Sequence, residues 1–194
     1  MDNLEWRMYG LVPYNISPIQ QGIQFGHALQ EYNNYARRNP DVIQSKNLTN
    51  WAENWKTFII LNGGTTNDKM DNEGNYLGTL NNHSKELFEN NISVSTFREP
   101  DLGDQLTAIC FLVDERVFNK KDYPDFEDWA IENYSGLFNY NSESDMGLSA
   151  YQLASKIKNS TSEKDIEVYN KWVNIIGGKQ NLFLRNFLKN FKLA

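Results

Sequence analysis

Apolar and polar residues follow two different periods along the first 118 residues of the chain. Strands are expected in four short runs rich in β-forming residues, at 8–12, 57–61, 92–97 and 106–113. Apolar positions three and four residues apart predict helices over 18–35 and 77–88, with a shorter one near 48–55. The order strand, helix, strand, helix, strand, strand is typical of an α/β protein with a small mixed four-stranded sheet between helical layers.

Two details of this pattern predict how the elements pack. The continuous apolar run from Phe58 to Leu61 indicates a strand buried on both faces, as in the centre of a sheet. One face of the first helix consists of small, apolar and amide residues, namely Ile19, Gly22, Ile23, Gly26 and Gln30. Glycine weakens a helix, so two glycines on one face need a compensating reason. Since they have no side chain, they predict close packing of that face against the sheet.

The composition shifts after Phe118 towards acidic, tyrosine and asparagine residues. Further helical segments are predicted at 124–132, 148–158, 163–176 and 181–194. The chain is therefore divided into an α/β domain over residues 1–118 and a helical C-terminal extension over 119–194. The extension is expected to pack on the α/β core or on another subunit.

The last predicted helix carries more apolar surface than one face can hold. Its large apolar side chains are Leu182, Phe183, Leu184, Phe187, Leu188 and Phe191. Phe183, Phe187 and Phe191 form one stripe, and Leu184 and Leu188 form a neighbouring one. One stripe can pack on the chain's own domain while the other meets a second subunit, so a homo-oligomer, a dimer or tetramer, is predicted.

Charge and composition restrict the class of partner. The net charge of −6 opposes binding to the phosphate backbone of long nucleic acids, whereas a small nucleotide needs only local groups. No apolar run approaches the ~20 residues that span a bilayer, and the acidic N-terminus has no signal-peptide pattern. A cytoplasmic protein without a membrane partner is predicted. Cys110 lies in an apolar run and is expected to be buried, and no metal-ligand spacing or cofactor motif is present.

The segment from Ser17 to Ala28, directly after the strand Tyr9–Val12, resembles the first strand and helix of type-2 peptidyl-tRNA hydrolases. That helix carries a Gln, two residues, and then His-Ala, as Gln24 to Ala28 do here. The segment Phe97–Asp101 with the strand after it resembles the acidic loop and final strand of the same family. The resemblance covers residues 8–118 and implies the family's α/β fold.

The chain departs from the hydrolase pattern at two positions. Gln20 stands where the family has a basic residue, and Gly103–Leu106 offers no equivalent of the family's threonine. The loss of a cation argues against recognition of a whole tRNA. The resemblance leaves Gln24, His27 and the acidic pair Glu99 and Asp101 as its functional residues.

The chain is also similar to a group of phage-encoded proteins of the same layout. The shared segments are the start Tyr9–Val12, the helix with Gly22-Ile23-Gln24 and His27, and the terminal Phe183–Leu188. This similarity implies a viral protein whose place is the cytoplasm of the host cell. It also suggests immune evasion, in which the protein sequesters a cyclic or linear nucleotide signal of host anti-phage defence.

Several polar residues are candidates for a ligand site near the strand ends. Gln20, Gln24 and His27 lie on one side of the first helix, and His27 has the chemistry of a general base or a phosphate donor. The alternative for His27 is a packed histidine that takes no part in chemistry. Ser17 caps the helix and, with the first-turn amides, forms a potential phosphate site.

The remaining candidates lie on loops and strand ends. Arg98 is either a phosphate clamp or an ion-pair partner of Glu99. Tyr14 is a candidate for stacking on a base, and Asn62 follows a strand where open α/β sheets bind ligands. His83 falls on a polar helix face and is assigned no function.

Three functions fit these residues. The first is non-catalytic binding of a small nucleotide by Ser17, Gln20, Gln24, His27, Arg98, Glu99, Tyr14 and Asn62. The second is hydrolysis of peptidyl-tRNA, a nucleotide or an ester, with His27 as the base and Glu99 as its orienting group. The third is binding of another protein through the terminal helix.

Overall fold

The computed structural model describes residues 4–134 and 148–194. Its chain forms two compact units. The first combines the residues up to Glu115 with Phe183–Ala194, and the second is Arg116–Leu182. The structure thus groups residues 183–194 with the sheet, whereas the sequence analysis assigned them to the extension.

The first unit is built on a four-stranded mixed sheet, as predicted. Its strands are β1 (Trp6–Val12), β2 (Thr57–Asn62), β3 (Val94–Glu99) and β4 (Gln105–Asp114). They lie in the order β2-β1-β4-β3. Strands β1 and β2 are parallel, and β4 is antiparallel to both β1 and β3. The α/β fold class is confirmed.

The prediction that β2 is a central strand is wrong, because β2 lies at one edge of the sheet. Phe58 in this strand remains 46% exposed. The strands that are buried almost throughout are β1 and β4, which occupy the centre. A short apolar run shows that a strand is hydrophobic but does not show where the strand lies in the sheet. An edge strand with aromatic neighbours and a central strand therefore have the same pattern.

Eight α-helices complete the described part of the chain. They are α1 (Pro18–Arg38), α2 (Ile43–Asn50), α3 (Thr79–Glu89), α4 (Glu115–Phe118), α5 (Phe126–Tyr134), α6 (Ala150–Lys158), α7 (Glu163–Ile175) and α8 (Lys179–Phe187). A π-helical turn, Trp51–Trp55, continues α2. Helix α1 starts at a capping box formed by Ser17 and Gln20, with Pro18 in its first turn. None of the described helices is long and apolar enough to cross a membrane.

Helix α1 does not pack through the face that its glycines predicted. An added Cβ at Gly22 or Gly26 would meet no heavy atom within 4 Å, and Ile19 is 78% exposed. The buried face instead carries Gln24, Phe25, Ala28 and Tyr32. More than one face of a helix can satisfy the three- and four-residue spacing. The face with the larger side chains is the buried one, because burying it removes more apolar surface from water.

The close approach between α1 and the sheet occurs at a glycine of the strand. A Cβ on Gly10 would lie 2.3 Å from a ring atom of Phe25. Gly10 therefore leaves the space in which the Phe25 ring packs. The ring is also in edge contact with Phe58 of β2, at 5.5 Å between ring centroids.

The opposite face of the sheet is covered by α3 and the terminal segment. Phe187 and Leu184 are each 3% exposed, and Phe187 contacts Phe111 of β4 at 6.5 Å between ring centroids. His83 of α3 lies 5.7 Å from Phe187 and 4.8 Å from Phe191, so its assignment to a solvated helix face is wrong. The terminal segment thus packs on the chain's own sheet unit, while the predicted oligomer stays a prediction.

The end of the chain also covers the edge of β2. The Asn62 N–H donates to the Lys192 carbonyl at 2.9 Å, and the Ala194 N–H donates to the Ile60 carbonyl at 3.0 Å. Leu193 forms an antiparallel bridge with Leu61. These bonds satisfy backbone groups that an edge strand would otherwise expose.

The second unit is helical and has its own aromatic core. Its buried residues include Phe126, Trp129, Ala130, Ala154, Val168, Trp172, Val173 and Ile176. The Trp172 indole N–H donates to the Pro124 carbonyl at 3.1 Å, which satisfies the buried polar end of this side chain. Helix α6 begins at a capping box between Ser149 and Gln152.

Candidate functional site

The ends of β1, β2 and β3 and the start of β4 lie along one border of the sheet, the border that crosses the strands at their termini. Val12 at the end of β1 lies beside Asn62 at the end of β2, and Glu99 at the end of β3 lies beside Gln105 at the start of β4. Because β4 runs antiparallel to its neighbours, its start falls at the same edge as their ends. We call this edge, with its loops 13–17, 63–68 and 100–104, the carboxyl edge. Open α/β sheets bind ligands in this place.

Three side chains joined by buried hydrogen bonds lie under α1 near this edge. Gln24, which is 6% exposed, donates through Nε2 to Glu99 Oε2 at 2.5 Å. Its Oε1 accepts from the hydroxyl of Thr107, which is fully buried, at 2.6 Å. We call Gln24, Glu99 and Thr107 the Gln24 network. Both ends of the buried amide are satisfied, which removes the penalty of burying it unpaired.

His27 follows Gln24 by one helical turn and remains exposed. Its ring stacks on Phe97 of β3, with 4.4 Å between ring centroids and 22° between ring planes. The structure therefore brings Gln24, His27 and Glu99 to one side of β3. Glu99 is hydrogen-bonded to Gln24 and to the Asp101 backbone N–H, and not to His27.

Arg98 lies on the other face of the sheet. Its guanidinium donates to Asp68 Oδ2 at 2.5 Å, to the Asp104 carbonyl at 2.8 Å and to Asn81 Oδ1 at 3.3 Å. The ion pair with Glu99, one of the two alternatives for Arg98, does not form, because consecutive strand residues point to opposite faces. The partner of Arg98 is Asp68, a residue that sequence reasoning did not single out.

Asp68 is held in its charged form by these neighbours. Partial burial would raise the pKa of its carboxyl, but hydrogen bonds from Asn81 and Arg98 outweigh that effect and lower it. The Asn81 amide donates to Asp68 Oδ1 at 2.6 Å. The positive charge of Arg98 is therefore compensated within the chain.

Ser17 and Gln20 bind each other at the start of α1. The Gln20 backbone N–H donates to Ser17 Oγ at 3.3 Å, and Gln20 Oε1 accepts from the Ser17 backbone N–H at 3.0 Å. Both residues are exposed. They act as a helix cap and remain accessible to a ligand at the carboxyl edge.

Tyr14 and Asn62 meet at the loop after β2. The Tyr14 N–H donates to the Gly64 carbonyl at 2.8 Å, and Asn62 Oδ1 accepts from the Gly64 N–H at 2.9 Å. Gly64 adopts a φ of +91°, which favours glycine. Tyr14 is 61% exposed and thus free to contact a ligand.

Sequence reasoning missed the residues that hold this region together. Thr107 lies one residue beyond Gly103–Leu106, and its signal in the sequence is a polar residue inside an apolar strand. The Thr66 N–H donates to Asn15 Oδ1 at 3.2 Å, and Asn15 Nδ2 donates to the Thr66 carbonyl at 3.4 Å. The Thr66 hydroxyl donates to the Leu106 carbonyl. These contacts join two loops of the carboxyl edge, and nothing local in the sequence pairs them.

The described residues offer no group of His, Cys, Asp and Glu side chains that would hold a metal ion. Cys110 is fully buried, and burial raises the pKa of its thiol to about 12. A thiol of this kind is not a nucleophile at neutral pH.

Comparisons with protein-family models, with curated proteins and with solved structures found no match to this chain. The class of this protein is therefore defined by its own fold. It is an α/β protein with a discontinuous sheet unit and a helical second unit.

Proposed function

We propose that the chain binds a small nucleotide at the α1 side of the carboxyl edge and releases it unchanged. The observation that carries this proposal is the placement of His27. Its exposed ring lies flat on Phe97, beside the Gln24 network. Such a ring presents a polar edge on a fixed apolar support, which suits contact with a base or ribose.

The same geometry favours binding over hydrolysis. A histidine acting as a general base works best when a carboxylate orients it. Glu99, the carboxylate assigned to that role by the resemblance, is held by Gln24 instead. For turnover, Glu99 would have to give up its hydrogen bond from the buried Gln24 amide and form one with His27.

The charge distribution supports recognition through the base and ribose more than through phosphate. Arg98 is compensated by Asp68 on the opposite face, so it does not serve as the phosphate clamp in this proposal. The amide of Gln20 and the hydroxyl of Ser17 are neutral. We therefore expect binding to depend weakly on salt, unlike binding driven by phosphate charge.

The resemblances add two elements to the proposal. Thr107 gives the Gln24 network the threonine that the hydrolase pattern calls for, one residue beyond Leu106. The similarity to phage proteins supports a role in sequestering a nucleotide signal of the host.

The test is a panel of cyclic and linear nucleotides and peptidyl-tRNA, measured by calorimetry and by chromatography of the recovered ligand. We expect one nucleotide to bind and to be recovered intact. Recovery of cleaved product would favour the hydrolase, and the absence of binding across the panel would favour a protein partner.

His27→Ala is expected to abolish nucleotide binding while the melting transition stays close to that of the original chain. The matched control is His83→Ala, which removes a histidine packed between Phe187 and Phe191. The control should lower stability and leave binding intact in the folded protein. The opposite pattern would contradict the proposed site.

A further inference from the structure

The hydrogen bonds of the Gln24 network all run in one direction, towards Glu99. A carboxylate accepts and does not donate, so the Gln24 group that faces Glu99 is the amide Nε2, at 2.5 Å. The amide oxygen then faces Thr107 and accepts its single hydroxyl proton at 2.6 Å. The Phe97 carbonyl, at 3.3 Å from the same hydroxyl, is the weaker acceptor. Thr107 therefore donates to Gln24, and Gln24 donates to Glu99.

Glu99 is the member of the network that a ligand can reach. Gln24 and Thr107 are buried, whereas Glu99 is half-buried. A carboxylate offers about four positions that accept a hydrogen bond. Gln24 occupies one position on Oε2, and the Asp101 backbone N–H occupies one on Oε1 at 3.4 Å. Both oxygens therefore retain the capacity to accept from a ligand that donates.

No cation in the described part of the chain compensates the charge of Glu99. Arg98, its neighbour on β3, is directed to the opposite face and pairs with Asp68. Among residues 4–134 and 148–194, no lysine or arginine forms an ion pair with the Glu99 carboxylate. This charge opposes a phosphate group at the same position and favours a donor from the base instead.

The Glu99 carboxylate lies beside the aromatic support of the proposed site. Phe97 and Glu99 both contact side chains of α1, so both lie on the α1 face of β3. They are two residues apart, which places their Cα atoms at most about 7 Å from each other. The His27 ring covers Phe97 and is itself exposed. A base that contacts the His27 ring therefore has the Glu99 carboxylate near its edge.

We propose that the base of the bound nucleotide is guanine and that Glu99 selects it, an inference that rests on the proposed function. Guanine presents two adjacent donors, N1–H and the 2-amino group, which fit the two oxygens of one carboxylate. Adenine and cytosine present one amino group beside a ring nitrogen that only accepts, and uracil presents one N–H between two carbonyl oxygens. Those acceptors face the carboxylate without a proton between them, so the other bases are rejected as well as less well bound.

The first test measures the affinity of the unmodified chain for nucleotides that differ by one donor, by calorimetry. The probes are the linear and cyclic monophosphates of guanosine, inosine and adenosine. Inosine keeps N1–H and lacks the 2-amino group, so it should bind about tenfold more weakly than guanosine, and adenosine more weakly still. Equal binding of guanosine and adenosine would overturn the inference and leave the proposed function standing. Failure of all six probes would overturn the inference, and failure of the wider nucleotide panel would contradict the proposed function too.

The second test changes the selecting group by Glu99→Gln. The new amide oxygen can still accept from Gln24, which leaves an amino group to face the ligand. The preference for guanosine over adenosine should fall by about tenfold or more. Glu31→Gln makes the same charge change at an exposed residue two turns further along α1 and should keep the preference. A preference that persists in folded Glu99→Gln would overturn the role of Glu99. If that variant does not fold, the inosine comparison decides without any substitution.

Discussion

The two faces of the sheet carry different chemistry, and the two histidines of the chain show it. On the α1 face, His27 is exposed and stacks on one ring, Phe97, beside a buried hydrogen-bonded network. On the α3 face, His83 is half-buried between Phe187 and Phe191. On the α1 face the histidine is accessible beside polar groups. On the α3 face the histidine contacts aromatic rings, while the polar groups of that face, Arg98 and Asp68, pair with each other. The same residue type is therefore accessible on one face of the sheet and packed among aromatic rings on the other.

The largest effect is expected from Phe187→Asp on the α3 face. This substitution buries an unpaired carboxylate among aromatic rings and should destabilise the sheet unit by about 4 kcal/mol or more, enough to unfold it. Urea denaturation measures the change. Phe88→Asp, at an α3 position that is 75% exposed, is the control and should change stability by less than about 0.5 kcal/mol. Similar losses for both variants would contradict the aromatic packing described for this face.

Gly10→Ala is expected to disturb the α1 face next. The added methyl would lie 2.3 Å from the Phe25 ring, so α1 or the ring must shift, at a cost of about 3 kcal/mol. Phe25→Leu in the same chain should recover part of the loss. The control Gly26→Ala meets no atom within 4 Å and should stabilise α1 slightly, because alanine favours helix. Equal stability of Gly10→Ala and the original chain would rule out this close contact.

Gln24→Leu removes the centre of the Gln24 network. It leaves the Thr107 hydroxyl and the Glu99 carboxylate without their amide partner, and we expect a loss of about 1–2 kcal/mol. A double-mutant cycle with Thr107→Val isolates the coupling between the two side chains. Additive losses in that cycle would show that the hydrogen bond contributes nothing to stability.

The smallest effect is a pH dependence that belongs to the α3 face. Burial lowers the pKa of His83 below its ordinary value of 6.5, so the unfolded chain takes up this proton at a higher pH than the folded one. Stability from this group is therefore present above pH 6.5 and is lost as the pH falls below it. Thermal melts between pH 7 and pH 5 should show a shallower decline for His83→Gln than for the original chain. An identical slope would contradict the burial of this ring.

Periodicity in the sequence was sufficient for the elements and the fold class but not for their positions. The strands and α1 were predicted to within a few residues because β-forming runs and the Ser17-Pro18 start are local signals. The location of β2 at an edge depends on which strands it meets. Which face of α1 is buried depends on the size of its side chains, because several faces have the same three- and four-residue spacing. The position of the Phe25 ring depends on Gly10, which belongs to another element.

The spatial arrangement of the candidate residues was predicted in part for the same reason. Gln24 and His27 were found because they lie on one side of a single helix. Arg98 and Glu99 are neighbours in the chain, yet the strand directs them to opposite faces, to Asp68 and to Gln24. Asp68 and Thr107 are far from their partners in sequence, so no local pattern could have joined them.

The discontinuity of the sheet unit has a consequence for synthesis of the chain. Residues 183–194 close the α3 face and the edge of β2, yet they are translated after the whole segment Arg116–Leu182. While that segment emerges from the ribosome, the first 115 residues expose the rings and backbone groups that the terminal segment later covers. The helical unit can form its own core in that interval, since its contacts are internal. Completion of the sheet unit is thus delayed by topology, and its uncovered rings and backbone groups are accessible to chaperones and proteases until residues 183–194 are synthesised.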